Sequence, residues 1–305
     1  MTKRLVAATA AALFVAAALV TAQGPLLPTI PRTAYGGSVS PAYDGWYDNP
    51  DGTRTYLMGY YSRNTSVDVD IPIGPNNHFE PGDPDRGQPT HFTPNRSFGM
   101  FSIKLPANVP ASERLWWVLT ANGVTQRVPL NGAAEYNITP TKASEESPGG
   151  KYNVPPILRF TEKGEGVQLP VASMSSAVRR TATVGQPMPL EMWVDDDGLY
   201  SSGSNAPLGR DPKIIEFKIA KYRGPGTVKV GEGLDKMTTL KGGKPGEPYA
   251  GKASTTLTFS EAGDYFVHIT VLDLSGPGGG STGCCWTTAM LNVAVTAGPA
   301  SPAAR

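Results

Sequence analysis

Histidine is scarce in this chain: there are three in 305 residues. Nucleophilic catalysis needs a base beside the nucleophile. His78, His91 and His268 stand without an HExxH or CxxC pattern around them. GxSxG, Walker and Rossmann patterns are missing from any usable context. No pair of carboxylates stands out for glycoside hydrolysis. Charge of one sign is missing as well. The 27 basic residues balance 26 acidic ones, so there is no electrostatic reason to expect nucleic acid or an anionic membrane as partner. Beyond the N-terminal run, no segment is apolar enough to span a bilayer. Cysteine is confined to one adjacent pair, Cys284 and Cys285. No cysteine stands directly after the expected cleavage point, where Gln23 follows, so a lipid anchor on an N-terminal Cys is not expected.

What is present begins with that run. Lys3 and Arg4 precede an apolar stretch from Leu5 to Val20, and Val20-Thr21-Ala22 offers small residues for cleavage. The pattern is that of an export signal covering residues 1–22, whose apolar run of about 16 residues is shorter than the ~20 a spanning helix needs. Removal takes two basic residues with it and leaves 25 basic against 26 acidic. With 35 glycines and 29 prolines, about 21% of the chain is punctuation against a usual ~12%. Long helices are therefore not expected.

Strand signals fill most of the rest. Residues 23–42, with Pro25, Pro28, Pro31 and Pro41, are expected as an extended lead-in. Asn49-Pro50-Asp51-Gly52 separates two aromatic-rich runs and predicts a hairpin. "SVDVDIPI" alternates, with Val67, Val69 and Ile71 inward. Residues 74–95 carry five prolines and no periodicity, which predicts a long loop, and such loops are often functional. "SFGMFSIKLP" alternates again. "RLWWVLTANGVTQRVPL" is a hairpin around Asn122-Gly123, residues suited to a turn with two positive φ angles. Residues 43–131 thus predict six or seven strands and one β-sandwich. The polar, Pro/Gly/Ser-rich residues 132–151 read as an interdomain linker. A second sandwich is expected over 152–297, with a frayed tail over 298–305.

In that second half, "VGQPMPLEMWVDDDG", "IAKYRGPGTVKV" and "TTLTFSEAGDYFVHITVLD" follow in order. Together they resemble a bacterial PKD-type or related immunoglobulin-like domain over roughly residues 152–297. The resemblance implies a strand B ending in an Asp-rich loop. It also implies a G-x-Y corner, Gly263 and Tyr265, whose hydroxyl bonds back to the chain. Phe217 and Ile219 stand where the usual core Trp of strand C is expected. The first half resembles uncharacterised bacterial exported proteins, which implies no activity.

Topology then gathers candidate site residues at one pole, because the B–C and F–G loops of such a sandwich share an end. Asp195, Asp196 and Asp197 end strand B, Asp211 lies in the B–C loop, and Asp273 ends strand F. Asp195, Asp197 and Asp273 are candidate calcium ligands, although an EF-hand is excluded because its twelfth position, counted from Asp195, is Ala206. The bland alternative is that Asp-Gly caps a turn. Cys284, Cys285 and Trp286 enter strand G at the same pole. Adjacent Cα atoms ~3.8 Å apart fall below the usual disulfide range, so a vicinal disulfide requires a distorted backbone, made easier by Gly283. Two buried thiols, or an intermolecular or metal bond, remain the alternatives. A linked pair beside Trp286 is an apolar knob suited to a binding surface. His78 and His91 are candidate transition-metal ligands on the 74–95 loop. His268, opposite Val267 and Ile269, is expected to face solvent.

The sequence therefore predicts an all-β chain of two tandem antiparallel β-sandwiches, immunoglobulin-like or fibronectin-like, following a signal peptide. The expected role is a secreted or periplasmic, non-enzymatic binding or structural module. Its expected partner is an extracellular or periplasmic protein or glycan. No cofactor is expected, with calcium at the acidic pole as the alternative. The alternatives are a calcium-stabilised adhesin, or a metal-dependent hydrolase or enzyme accessory using residues 74–95.

Overall fold

Side chains that alternate in the sequence produce strands from Val39 onward, and no α-helix occurs among the described residues. The computed structural model describes residues 31–110, 113–139, 153–170, 172–199, 214–273 and 285–298. The expected signal segment, most of the lead-in, residues 140–151, Asp211, Cys284 and residues 299–305 lie outside them. Contacts divide the chain into Met1–Arg32 and Thr33–Arg305. All strands belong to the second unit.

The first half is an antiparallel sandwich. One sheet holds β1 (Val39–Asp48), β2 (Thr53–Ser62) and β6 (Asn95–Pro106) in the order β1-β2-β6. The other holds β4 (Asn77–Glu80), β7 (Trp116–Ala121) and β8 (Val124–Pro129), with β7 central. A small ribbon pairs β3 (Val69–Asp70) with β5 (His91–Phe92). Trp117 anchors the core. Phe79 stacks on it at 6.0 Å and Phe101 meets it edge-on at 5.1 Å, spacings at which aromatic pairs add to area burial. Its indole N–H donates to Asn77 Oδ1 at 3.0 Å, and the Asn77 amide donates to the Ile71 and Pro89 carbonyls. One buried asparagine thus ties both ends of the Pro-rich segment to the core tryptophan. The β7–β8 hairpin turns on Asn122 (φ 50°) and Gly123 (φ 75°), the backbone that this dipeptide favours.

Four local expectations need correction. β1 begins at Val39, inside the expected lead-in, because Val39 is fully buried. Val67 is 40% exposed rather than inward, and only Val69 and Asp70 of that run pair as strand. Residues 77–80 are strand rather than loop: Asn77 and Phe79 face inward, giving the period-2 burial of β4. Residues 132–139, placed in the linker by composition, pack along β1. The Trp46 indole donates to the Ala133 carbonyl at 2.8 Å, the Ile138 N–H donates to Trp46 O at 2.9 Å, and Ile138 is buried.

The second half is a larger sandwich with an immunoglobulin-type strand order. One sheet runs β13 (Val228–Val230), β15 (Tyr249–Phe259), β11 (Met188–Asp196), β9 (Ile157–Arg159), with β14 (Thr238–Lys241) also on β15. The other runs β10 (Val178–Thr183), β17 (Trp286–Thr296), β16 (Gly263–Leu272), β12 (Glu216–Arg223). β10 lies parallel to β17, and every other pairing is antiparallel. Leu190, Met192, Val194 and Leu257 meet Val267, Ile269, Val271 and Leu291 in the core. The Tyr265 hydroxyl donates to Glu261 O at 3.0 Å, closing the corner before β16. Phe217 is buried at the position of the absent tryptophan.

The two cores meet. Tyr222 and Met290, on the outer face of the β10-β17-β16-β12 sheet, are buried in the cluster of the first half, with Phe266 packed beside them. That sheet is covered on both faces.

Candidate functional site

Two constructions deserve description, the acidic pole of the second sandwich and the seam between the halves. The pole follows from strand period. Along β11, Met188, Leu190, Met192 and Val194 point inward, and the next inward position is Asp196. Along β16, Tyr265, Val267, Ile269 and Val271 point inward, and the next inward position is Asp273. Two hydrophobic rows from facing sheets therefore each end in a buried aspartate. The Asp196 backbone hairpin is set by its own side chain, since the Gly198 N–H donates to Asp196 Oδ1 at 2.8 Å. Its Oδ2 is buried and accepts no hydrogen bond. Burial first, then repulsion from Asp273, pushes the Asp196 carboxyl up to about 8, because both effects disfavour the charged form.

The segment entering the second sandwich crosses this pole. The Asn153 amide donates to Asp273 Oδ2 at 2.6 Å, and the Cys285 sulfur lies 3.5 Å from Asn153 O. The Thr287 hydroxyl donates to Pro156 O at 2.5 Å.

The expected ligands sort differently from the sequence reading. Asp195 points outward and forms an ion pair with Arg159. Asp197 accepts the Val154 N–H at 2.9 Å through Oδ2 and the Leu199 N–H at 2.8 Å through Oδ1, a turn-capping role. Asp273 is at the pole as expected. Asp196, which the sequence reading passed over, is the inward member, and extending the Leu190-Met192-Val194 alternation by one step would have found it. Among the described residues, no group of three His, Cys, Asp or Glu side chains has metal-site geometry. Cys285 is fully buried and disulfide-bonded. The chain's other cysteine is Cys284. Asp211 and Cys284 lie outside the described residues. Trp286 is buried rather than displayed. A Cβ placed on Gly99 would lie 3.0 Å from its indole ring, so it packs against the first half.

The seam uses the 74–95 segment. The Thr90 N–H donates to Tyr222 O at 3.1 Å, and the Tyr222 hydroxyl donates to Gly87 O. Arg223 forks onto Asp85 at 2.7 and 2.8 Å and also donates to Gln88 O. Lys221 reaches Asp70 at 3.1 Å. His78 and His91 do not form a joint site. His78 lies on β4, 3.9 Å from Glu80. His91 lies on β5, between Asp70 at 2.8 Å and Asp68 at 3.1 Å. His268 does not face solvent. It is 2% exposed and stacks on Tyr222 at 5.9 Å. The reason is that the face it points to is the one covered by the first half. Burial pushes its pKa down to about 4, against a smaller opposing pull from the Met100 backbone.

No protein-family model and no curated protein matches the chain. Among solved structures, domains 4 and 5 of the S-layer protein SbsC share 13% identity at a TM-score of 0.20. The match covers 85% of this chain and 98% of that one. Dimeric latent PorU from Porphyromonas gingivalis shares 11% at a TM-score of 0.23, covering 86% of this chain and 24% of that one. Scores of this size carry no argument, and the fold rests on the strand pairing itself. No helix among the described residues is long and apolar enough to cross a membrane.

Proposed function

We propose that this chain is an exported, non-enzymatic β-sandwich module with a structural or binding role, in which two sandwiches act as one rigid element. The supporting observation is the seam. Side chains of the second half, Tyr222 and Met290, are buried in the core of the first. Arg223 binds the 74–95 segment through a carboxylate and a carbonyl. A hinged pair of domains leaves a smaller, more polar boundary. The long segment that invited a hydrolase reading is occupied in holding the halves together. Export is supported by the charge and apolar pattern of residues 1–22. The partner class is an extracellular or periplasmic protein or glycan.

Under the same reading, the disulfide of Cys285 is formed with Cys284. Export favours oxidation. Intact mass before and after alkylation without reductant tests it: no added label is expected on the monomer, and two labels would contradict it.

Small-angle scattering on the mature chain tests rigidity. One particle of fixed dimensions, insensitive to salt, is expected. A broad distribution of distances between two globes would overturn the reading.

A further inference from the structure

We propose that the pole of the second sandwich binds one divalent cation of the calcium class, held by the inward carboxylates of Asp196 and Asp273. The argument starts from where these groups sit. Each ends an otherwise apolar row, Leu190-Met192-Val194 on one sheet and Val267-Ile269-Val271 on the other. Asp196 is 8% exposed and Asp273 5%. A buried carboxylate demands a compensating partner, and Asp273 has one in the Asn153 amide at 2.6 Å, whereas the second oxygen of Asp196 does not. Arg159, on the neighbouring strand β9, is committed to the outward Asp195. Asp196 Oδ2 is buried with no hydrogen-bond donor on it. An unpartnered acidic oxygen, over nine-tenths buried, beside a second buried carboxylate, is an arrangement that a hard cation completes.

The donor chemistry selects the ion. The hard donors at the pole are oxygens: two carboxylates, the side-chain oxygen of Asn153, and the backbone of the segment that crosses the opening; the Cys285 sulfur is tied in its disulfide. Calcium takes six to eight oxygen ligands in flexible geometry at roughly 2.3–2.6 Å and accepts carbonyls and water alongside carboxylates. Only two carboxylates contribute, so the remaining ligands are backbone carbonyls and water. Two charges and an open geometry suit the roughly 10⁻⁴–10⁻³ M affinities of extracellular modules. Asp195 and Asp197, the outward neighbours, are ion-paired and turn-capping and take no part. The ion joins strand ends of both sheets with the entering segment at Asn153, and so staples the sandwich at its open end.

The test uses the full mature chain stripped with chelator. Calcium at about 10 mM is expected to raise the melting temperature by roughly 5 °C, and titration calorimetry with calcium is expected to show one site. Asp196→Asn is nearly isosteric and cannot ionise. It should melt no lower than wild type in chelator yet lose the calcium response. Asp195→Asn should keep it. In wild type the calcium-induced shift should grow between about pH 6 and pH 9, as the ion replaces a proton on the pair. No shift at about 10 mM calcium, or a response unchanged in Asp196→Asn, overturns the proposal. So does a pole held by a shared proton alone, seen as stability in chelator that falls with rising pH and ignores calcium. The seam-based reading of function survives any of these results, because it makes no use of the pole.

Discussion

Arg223 and Asp85, 138 residues apart in sequence, form a two-pronged ion pair, Nη1 to Oδ2 at 2.8 Å and Nη2 to Oδ1 at 2.7 Å. The same guanidinium also donates to Gln88 O at 2.6 Å. The pair holds the Asp85 carboxyl below its usual range, chiefly through these hydrogen bonds. One side chain of the second sandwich thereby fixes the Pro-rich segment of the first.

Replacing Arg223 should loosen the seam while leaving both sandwiches intact. Arg223→Ala is expected to lower unfolding free energy by about 1–3 kcal/mol, the lower end reflecting the partial exposure of Asp85. Arg223→Lys should recover little, since an ammonium does not reproduce the fork. Urea denaturation of the three proteins measures the difference. A lysine variant as stable as wild type would contradict the geometry.

Gly99 lies against the second half on the other side of the seam. Its φ is +55°, and an added Cβ would meet the Trp286 ring at 3.0 Å and Pro170 at 3.3 Å. Its N–H donates to Asp44 Oδ2 at 2.8 Å. Gly99→Ala combines left-handed backbone strain with overpacking, so a loss of about 2–4 kcal/mol is expected. Tryptophan fluorescence during denaturation reports it, and a neutral effect would place Trp286 elsewhere.

His268 gives the seam a pH dependence. Its pKa in the fold is about 4, against roughly 6.5 unfolded. The unfolded chain therefore binds the extra proton first. The contribution is complete above the unfolded value and is lost as pH falls toward the folded one. Tyr222 and Thr270 touch the ring, so protonation would bury a charge with no carboxylate against it, and burial is the dominant cause of the shift. His268→Gln should flatten the stability profile between about pH 6.5 and pH 4. An unchanged slope would show that the ring is accessible to water.

Tyr265→Phe removes only the hydrogen bond to Glu261 O. A loss of about 1 kcal/mol is expected, confined to the second sandwich. Hydrogen exchange at the β15–β16 connection should rise while that of β2 and β6 stays the same.

Much of this fold is legible in the sequence because alternation is local. Leu190-Met192-Val194, the Asn122-Gly123 turn and the Gly263-Tyr265 corner depend on neighbours within a few residues, and all three appear as read. The seam is not local. Alternation assigns Phe266 and His268 to the outer face of β16 but does not reveal that another sandwich covers that face. Trp286 was therefore read as display and His268 as exposed. Outside β4 the 74–95 segment has no period, and residues such as Asp85 and Gly87 answer to partners far along the chain, Arg223 and Tyr222. The pole lies between these cases. Shared loop ends were legible, yet the inward aspartate of three consecutive ones was missed because the hydrophobic period was not extended past Val194.

Scanning calorimetry of the mature chain tests most directly whether the two sandwiches are one body. The account predicts a single transition whose calorimetric and van't Hoff enthalpies agree, and one that Arg223→Ala or Gly99→Ala splits or broadens. Two separate transitions in the unmodified chain, each unmoved by those substitutions, would contradict it.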